Sequence, residues 1–172
     1  MITPFRIYTL LLALVLLWCI GIIAAPLLAV VELQGGAKFL YSFYSHVCHQ
    51  LNSRSFHIAD EKLGVCIRCT SLYFGFLVGL ICIAIFKKVQ SHRIPQKRFL
   101  LLCILLLLFD VGFRVTGIFA GNEWTRIVSG VLFGICAAWY ILPLLIEAIT
   151  QLYKSYTNHP KNSGNNYARE TA

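Results

Sequence analysis

The composition of this chain is that of an integral membrane protein. Of its 172 residues, 58% are hydrophobic and only 13% carry a charge, whereas soluble proteins contain about 25% charged and about 45–50% apolar residues. An ordinary soluble enzyme is therefore excluded. The net charge of +8 does not indicate nucleic-acid binding, because most basic residues flank apolar runs and form no basic face interleaved with exposed aromatic residues.

Four apolar runs of about 20 residues or more predict four transmembrane helices, because that length crosses a bilayer core of about 30 Å. The predicted spans are residues 7–31, 66–86, 99–119 and 127–149. The fold class is thus an all-α membrane protein with one four-helix domain over residues 1–155. The first run exceeds the ~7–15 apolar residues of a signal peptide, which favours an uncleaved helix. Residues 156–172 are polar and lack apolar periodicity, so we expect a disordered tail.

The distribution of basic residues sets the expected orientation. Nine Lys and Arg residues belong to the N-terminus, the second loop and the tail, and five belong to the opposite side, in the first and third loops and at the start of the second span. Cytoplasmic segments carry an excess of such residues. We therefore expect a multi-pass plasma-membrane protein with both termini in the cytoplasm, a first loop that faces the periplasm or the cell exterior, and the lipid bilayer as its partner.

Small residues predict close packing of two spans. Gly75 and Gly79 in the second span, and Gly130 and Gly134 in the fourth, are four residues apart, a spacing that lets helix backbones approach closely. We expect packing within one chain rather than a dimer interface. The four cysteines inside apolar runs are expected to be free, small, buried hydrophobic residues: Cys19, Cys82, Cys103 and Cys136.

The first loop contains a cluster of potential metal ligands. Cys48, Cys66 and Cys69 are the three cysteines with polar surroundings, and His49 follows the first of them directly. Thiolate and imidazole are the donors that soft and borderline metals prefer, and Cys3His is a common zinc arrangement. The predicted metal ligands are therefore Cys48, His49, Cys66 and Cys69. His46 is an alternative fourth ligand, and iron or copper could replace zinc.

The same cysteines permit a second interpretation. Cys66 and Cys69 form a Cys-x-x-Cys motif at the start of the second span, where the partial positive charge of the helix N-terminus and the guanidinium of Arg68 would stabilise thiolates. A membrane thiol–disulfide oxidoreductase would use this pair, with a quinone near Arg68 and Arg114. The haem-attachment signature is absent, because Thr70 rather than His follows Cys69.

Asp110 and Arg114 are the unusual polar residues of the third span. They are four residues apart, so they can form an ion pair on one helical face and offset part of the penalty for charge inside the bilayer. A structural pair facing the bundle is the simpler interpretation. A proton path, or a role beneath the thiol site, is the alternative.

Four sequence motifs together resemble a family of small prokaryotic membrane proteins. They are Cys48-His49-Gln50, Arg54-Ser55-Phe56, Cys66-Ile67-Arg68-Cys69 and Tyr73-Phe74-Gly75. That family has a Cys-His-Gln … Cys-x-Arg-Cys signature and several membrane spans, and its activity is not established. The resemblance implies that these residues form one site, and it supplies no mechanism.

A weaker likeness is to membrane enzymes that generate disulfides. Those enzymes use two cysteine pairs, whereas the third loop of this chain, residues 117–126, contains no cysteine. The leading hypothesis is therefore an uncharacterised metal-binding membrane protein. An oxidoreductase and a non-catalytic interaction subunit are the alternatives. The first loop offers no obvious general base, so no catalytic residue is assigned.

Overall fold

The computed structural model describes residues 3–86 and 122–157, eight separate positions between 98 and 112, and the backbone of residues 158–167. Most of the predicted third span, including Asp110 and Arg114, lies outside the described residues. The four-span count and the two interpretations of this polar pair therefore stay predictions.

Within the part of the chain that the structure describes, three helices are long and apolar enough to cross a membrane. They are α1 (Pro4–Val30), α3 (Ile67–Phe86) and α4 (Glu123–Tyr167), of which the apolar part is Glu123–Thr157. These helices coincide with the first, second and fourth predicted spans. The protein is therefore a helical membrane protein, as its composition predicts.

The last helix is longer than its apolar pattern predicts. The expected span ends at 149 and the expected disordered tail begins at 156, but the backbone of α4 remains helical to Tyr167. Adding residues to an existing helix is far easier than nucleating a new one. Local hydrogen bonds also support the extension, since the hydroxyl of Thr157 donates to the carbonyl of Tyr153 at 3.0 Å. Polarity alone was therefore a poor guide to the helix end.

The segment between α1 and α3 contains most of the non-helical structure among the described residues. Helix α2 (Gln34–Ser45) is followed by a 3₁₀ turn (Asn52–Arg54) and by an antiparallel hairpin of β1 (His57–Ile58) and β2 (Glu61–Lys62). The fold is mostly helical, as predicted, and this hairpin of two-residue strands is a local addition to it. Ala59 and Asp60, which join the strands, have φ angles of 49° and 68°. A two-residue turn of this kind normally uses Asn-Gly, so the sequence carried no hairpin signal.

Helices α3 and α4 pack backbone to backbone through the predicted glycines. A Cβ atom on Gly130 would lie 2.9 Å from the Arg68 carbonyl oxygen, and one on Gly79 would lie 2.8 Å from the Cβ atom of Ala138. The predicted packing within one chain is confirmed. Because the early residues of α3 contact the early residues of α4, and later residues contact later ones, the two helices run parallel. Their N-termini therefore lie on the same side.

Pro26 creates an attachment point for the first loop on α1. Proline has no backbone N–H, so the carbonyl of Ile22, four residues earlier, loses its partner in the helix. The backbone N–H of Gly64 donates to this carbonyl at 3.2 Å. Nearby, the Tyr44 hydroxyl donates to the carbonyl of Trp18 at 2.8 Å. These bonds hold the loop against the C-terminal half of α1, where it forms a small core with buried Val65.

Candidate functional site: a three-cysteine cluster at the start of α3

Three thiols converge where the first loop meets α3. The sulfur atoms of Cys48, Cys66 and Cys69 all lie within 4.8 Å of one another, and all three cysteines are free. Cys48 follows α2, and its backbone N–H donates to the Tyr44 carbonyl at 3.0 Å. Its sulfur in turn accepts the backbone N–H of Cys66 at 3.2 Å. The geometry of the loop therefore brings the third sulfur to the Cys-x-x-Cys pair.

Cys66 caps the N-terminus of α3. Its carbonyl accepts the N–H of Thr70 at 2.9 Å, the first bond of the helical ladder. The pKa of Cys66 is lowered, mainly because the Cys69 thiol donates a hydrogen bond to the Cys66 sulfur. Hydrogen bonds from the backbone N–H groups of Cys69 and Arg68 and from the Cys48 thiol lower it further. Burial of the Cys66 thiol raises the pKa and offsets part of this effect. A lowered pKa favours thiolate, which is the form that binds metals and attacks disulfides.

The imidazoles do not all join the thiols. His49 is exposed and lines the same cavity as the cysteines. His46 Nδ1 lies 2.9 Å from the carbonyl oxygen of Ser42 on α2, and His57 Nε2 lies 3.0 Å from Asn52 Oδ1. Among the described residues, the three thiols alone form a group compact enough to hold one ion. His49 is the imidazole best situated to complete it.

A cavity of about 400 Å³ opens beside the thiols. Besides the cysteines and His49, its lining includes the guanidinium-bearing residues Arg54, Arg68 and Arg126. The sequence marks Arg68 because it lies inside the Cys-x-x-Cys motif. It gives no sign of Arg126, which is brought to the site only because the first turn of α4 lies beside the first turn of α3.

Gln50 has a structural role that its place in the sequence motif did not reveal. Its side-chain amide donates to the carbonyls of Tyr41 at 2.7 Å and Gly64 at 2.8 Å. The backbone carbonyl of Gln50 accepts a hydrogen bond from the Lys62 ammonium at 3.0 Å. These bonds join α2, the strand β2 and the residues before α3. The glutamine of the Cys-His-Gln motif therefore holds in place the loop that carries Cys48.

Three cysteines outside the cluster are among the described residues, whereas Cys103 lies outside them. Cys19 is buried and free, and Cys82 is half-buried and free, as the apolar pattern predicts. Cys136 is disulfide-bonded, so the prediction of a free thiol was wrong there. Apolar surroundings do not reveal whether a second cysteine is close enough to pair.

These features define a class of helical membrane protein with a cysteine cluster at the start of a membrane-spanning helix. The chain belongs to the family described as "Predicted membrane protein (DUF2085)", whose model matches residues 48–140. That match begins at Cys48 and includes the whole cluster, so the predicted family resemblance is confirmed.

A relative supports the same assignment. The chain is 32% identical over 154 residues to "Uncharacterized protein MJ1492" of Methanocaldococcus jannaschii, and the alignment covers 87% of this chain and 99% of the relative. No solved structure matches the chain. The comparisons thus identify the family without indicating a reaction.

Proposed function

We propose that the protein binds one metal ion through Cys48, Cys66, Cys69 and His49, with zinc as the first candidate. The observation that carries this proposal is the convergence of three free thiol sulfurs within 4.8 Å. A tetrahedral zinc ion with Zn–S bonds of about 2.3 Å keeps its sulfurs about 3.8 Å apart. The cluster therefore needs to contract by only about 1 Å to fit the ion.

The charges around the cluster suit a thiolate-rich site. Three thiolates bring three negative charges, and a divalent ion cancels two of them. Three arginines line the adjoining cavity, and positive neighbours stabilise thiolate. Soft sulfur donors favour zinc, iron or copper over magnesium or calcium. Zinc is preferred because Cys3His is one of its common structural sets.

Elemental analysis of the protein purified in mild detergent tests the proposal. We expect near one equivalent of zinc, lost in Cys66→Ser and retained in Cys82→Ser. Cys82 is a free cysteine in the same helix and outside the cluster, which makes it the matched control. Metal-free protein of unaltered fold, or equal metal content in both variants, would overturn the proposal.

A thiol–disulfide oxidoreductase is the second candidate, and the capping geometry of Cys66 favours it. A thiolate at a helix N-terminus, hydrogen-bonded to the second thiol of a Cys-x-x-Cys motif, is typical of redox-active pairs. Oxidation would join Cys66 and Cys69 in a disulfide, release two protons and pass two electrons to a quinone, which becomes quinol. Metal-free protein whose Cys66–Cys69 bond is formed by added quinone would support this function over metal binding. If neither behaviour is found, an interaction subunit is favoured.

We further propose four membrane spans, a plasma-membrane location and an extracytoplasmic cysteine cluster. The parallel course of α3 and α4 supports the span count, because two parallel spans require the chain to return across the bilayer between them. Residues 99–119 are apolar enough to make that crossing. The excess of basic residues at the opposite ends of the spans supports the orientation.

A further inference from the structure

The cavity beside the cysteine cluster has the chemistry of an anion site. Its charged lining consists of Arg54, Arg68 and Arg126, and the described residues that line it include no Asp or Glu. Three thiolates with a divalent ion bound carry a net charge of −1, and Arg54 and Arg126 alone outweigh it by one positive charge. Metal binding alone therefore does not account for the number of arginines.

Arg126 provides an independent observation. Its Nε atom is buried and has no hydrogen-bond partner among the described residues. Buried donors are normally satisfied, and a guanidinium binds phosphate or carboxylate through two parallel hydrogen bonds. Arg126 lies in the first turn of α4, and Arg68 in the first turn of α3. Both are therefore at the N-terminal ends of helices long and apolar enough to span a membrane, and the ends of such helices approach the lipid headgroups.

An exposed apolar stripe leads to this cavity. Phe39, Phe43 and Val47 are spaced four residues apart along α2 and just beyond it, and their exposed fractions are 68%, 44% and 48%. Val47 and the exposed Leu51 also line the cavity. The apolar stripe and the arginine cavity are thus continuous. A ligand that matches both must carry an anionic group and a hydrocarbon chain.

We propose that the cavity binds the phosphate headgroup of an anionic phospholipid, whose acyl chain lies along the apolar stripe. Phosphate suits the planar guanidinium donors, and a volume of about 400 Å³ accommodates a headgroup but not a whole lipid. This site lies beside the metal ligands and does not depend on the metal. It is a binding function beyond the proposed metal function.

Lipid binding can be measured on the purified full chain in detergent by native mass spectrometry. The probes are short-chain phosphatidylglycerol, phosphatidylcholine with the same chains, diacylglycerol and inorganic phosphate. We expect phosphatidylglycerol to bind about tenfold more tightly than phosphatidylcholine: both lipids carry the phosphate, but the trimethylammonium of phosphatidylcholine is repelled by the arginines that line the cavity. Diacylglycerol and inorganic phosphate should bind more weakly still, because each lacks one half of the recognised chemistry.

Charge variants identify the site. Arg126→Gln should abolish the preference for phosphatidylglycerol, and Lys38→Gln should retain it, because Lys38 is an exposed cation of α2 that does not line the cavity. If Arg126→Gln does not fold, the exposed Arg54→Gln provides the same test. Metal content, measured in parallel, reports whether the neighbouring cluster is intact.

Three outcomes would overturn the proposal. They are equal affinity for phosphatidylglycerol and phosphatidylcholine, a preference that survives both arginine substitutions, and inorganic phosphate that binds as tightly as the lipid. The last outcome would identify free phosphate as the source of the anion. Phe39→Ser with Val47→Ser separates the two halves of the site: this double variant should lose the advantage of lipid over inorganic phosphate and keep phosphate binding unchanged.

Discussion

The backbone N–H of Gly64 donates a hydrogen bond of 3.2 Å to the carbonyl oxygen of Ile22, which lies in the C-terminal half of α1. That carbonyl is available because Pro26 has no N–H to offer it. The bond lies two residues before Cys66. A proline in α1 therefore determines where the loop that carries the cysteine cluster is attached.

Gly64→Ala should destabilise the protein and weaken its metal site. A Cβ atom at this position would lie 3.1 Å from the Tyr44 ring and 3.3 Å from the Ile22 carbonyl oxygen, and such overpacking costs about 1–3 kcal/mol. Gly35→Ala is the control, since a Cβ atom on Gly35 in α2 would meet nothing within 4 Å. Thermal unfolding in detergent should show a lower Tm for Gly64→Ala. Alanine at position 35 should leave Tm unchanged or raise it, because glycine is unfavourable within a helix.

Removal of the Gln50 amide should loosen the same loop. Gln50→Ala leaves the carbonyls of Tyr41 and Gly64 without their donor, and an unsatisfied buried polar group costs about 1–3 kcal/mol. Gln34→Ala replaces an exposed glutamine of α2 and should be nearly neutral. Limited proteolysis checks this prediction: cleavage between α2 and α3 should accelerate in Gln50→Ala alone. Equal cleavage of both variants would mean that the Gln50 bonds do not hold the loop.

His49 and His46 can be distinguished as the fourth metal ligand by cobalt substitution. With Co²⁺ bound, His49→Ala should lose the visible bands of a tetrahedral Cys3His site. Its metal affinity should fall by at least about tenfold, because loss of a residue that only hydrogen-bonds to a metal ligand already costs that much. His46→Ala should retain both the spectrum and the affinity, because its Nδ1 is directed at the carbonyl of Ser42. The reverse result would make His46 the ligand and require the turn after α2 to rearrange.

The lowered pKa of Cys66 predicts selective reactivity in metal-free protein. Because the thiolate is the nucleophile, iodoacetamide should modify Cys66 at a lower pH than an ordinary thiol. Cys69→Ala removes the hydrogen bond that lowers this pKa most, so the pKa should rise and the reaction at a given acidic pH should slow. Mass spectrometry of peptides across a pH series measures the effect. A pH profile unchanged by Cys69→Ala would show that the hydrogen bond does not control the thiolate.

The sequence predicts the spans well, because burial in lipid requires long apolar runs. The spans at α1 and α3 agree with the structure to within a few residues. The sequence also groups Cys48 with Cys66 and Cys69, because the residue types and their spacing can be read directly from it. Arg126 is different, since it is 57 positions beyond Cys69 and reaches the cavity only through the parallel packing of α3 and α4.

The supporting contacts of the loop were equally invisible in the sequence. From the sequence alone, Pro26 indicates only a missing hydrogen bond within the helix. The structure shows that the freed Ile22 carbonyl accepts the backbone N–H of Gly64. Gln50, which has a positive φ of 48°, looks like a polar loop residue. Both act through backbone carbonyls, and every residue carries a carbonyl, so no side-chain pattern reports which one is used.

The parallel course of α3 and α4 predicts a definite membrane topology. Epitope tags inserted after Asp60 and before Glu123 should be accessible from the same side of the membrane, because each precedes one of two parallel spans. A tag at the C-terminus should be accessible from the opposite side. Antibody labelling of intact and permeabilised cells measures all three positions, and we expect the tags at 60 and 123 to be labelled in intact cells, as the basic-residue distribution indicates. If those two tags lie on opposite sides, α3 and α4 cannot both span in parallel, and the four-span arrangement fails. If the two tags share a side but that side is the cytoplasm, the packing argument survives and only the orientation is reversed.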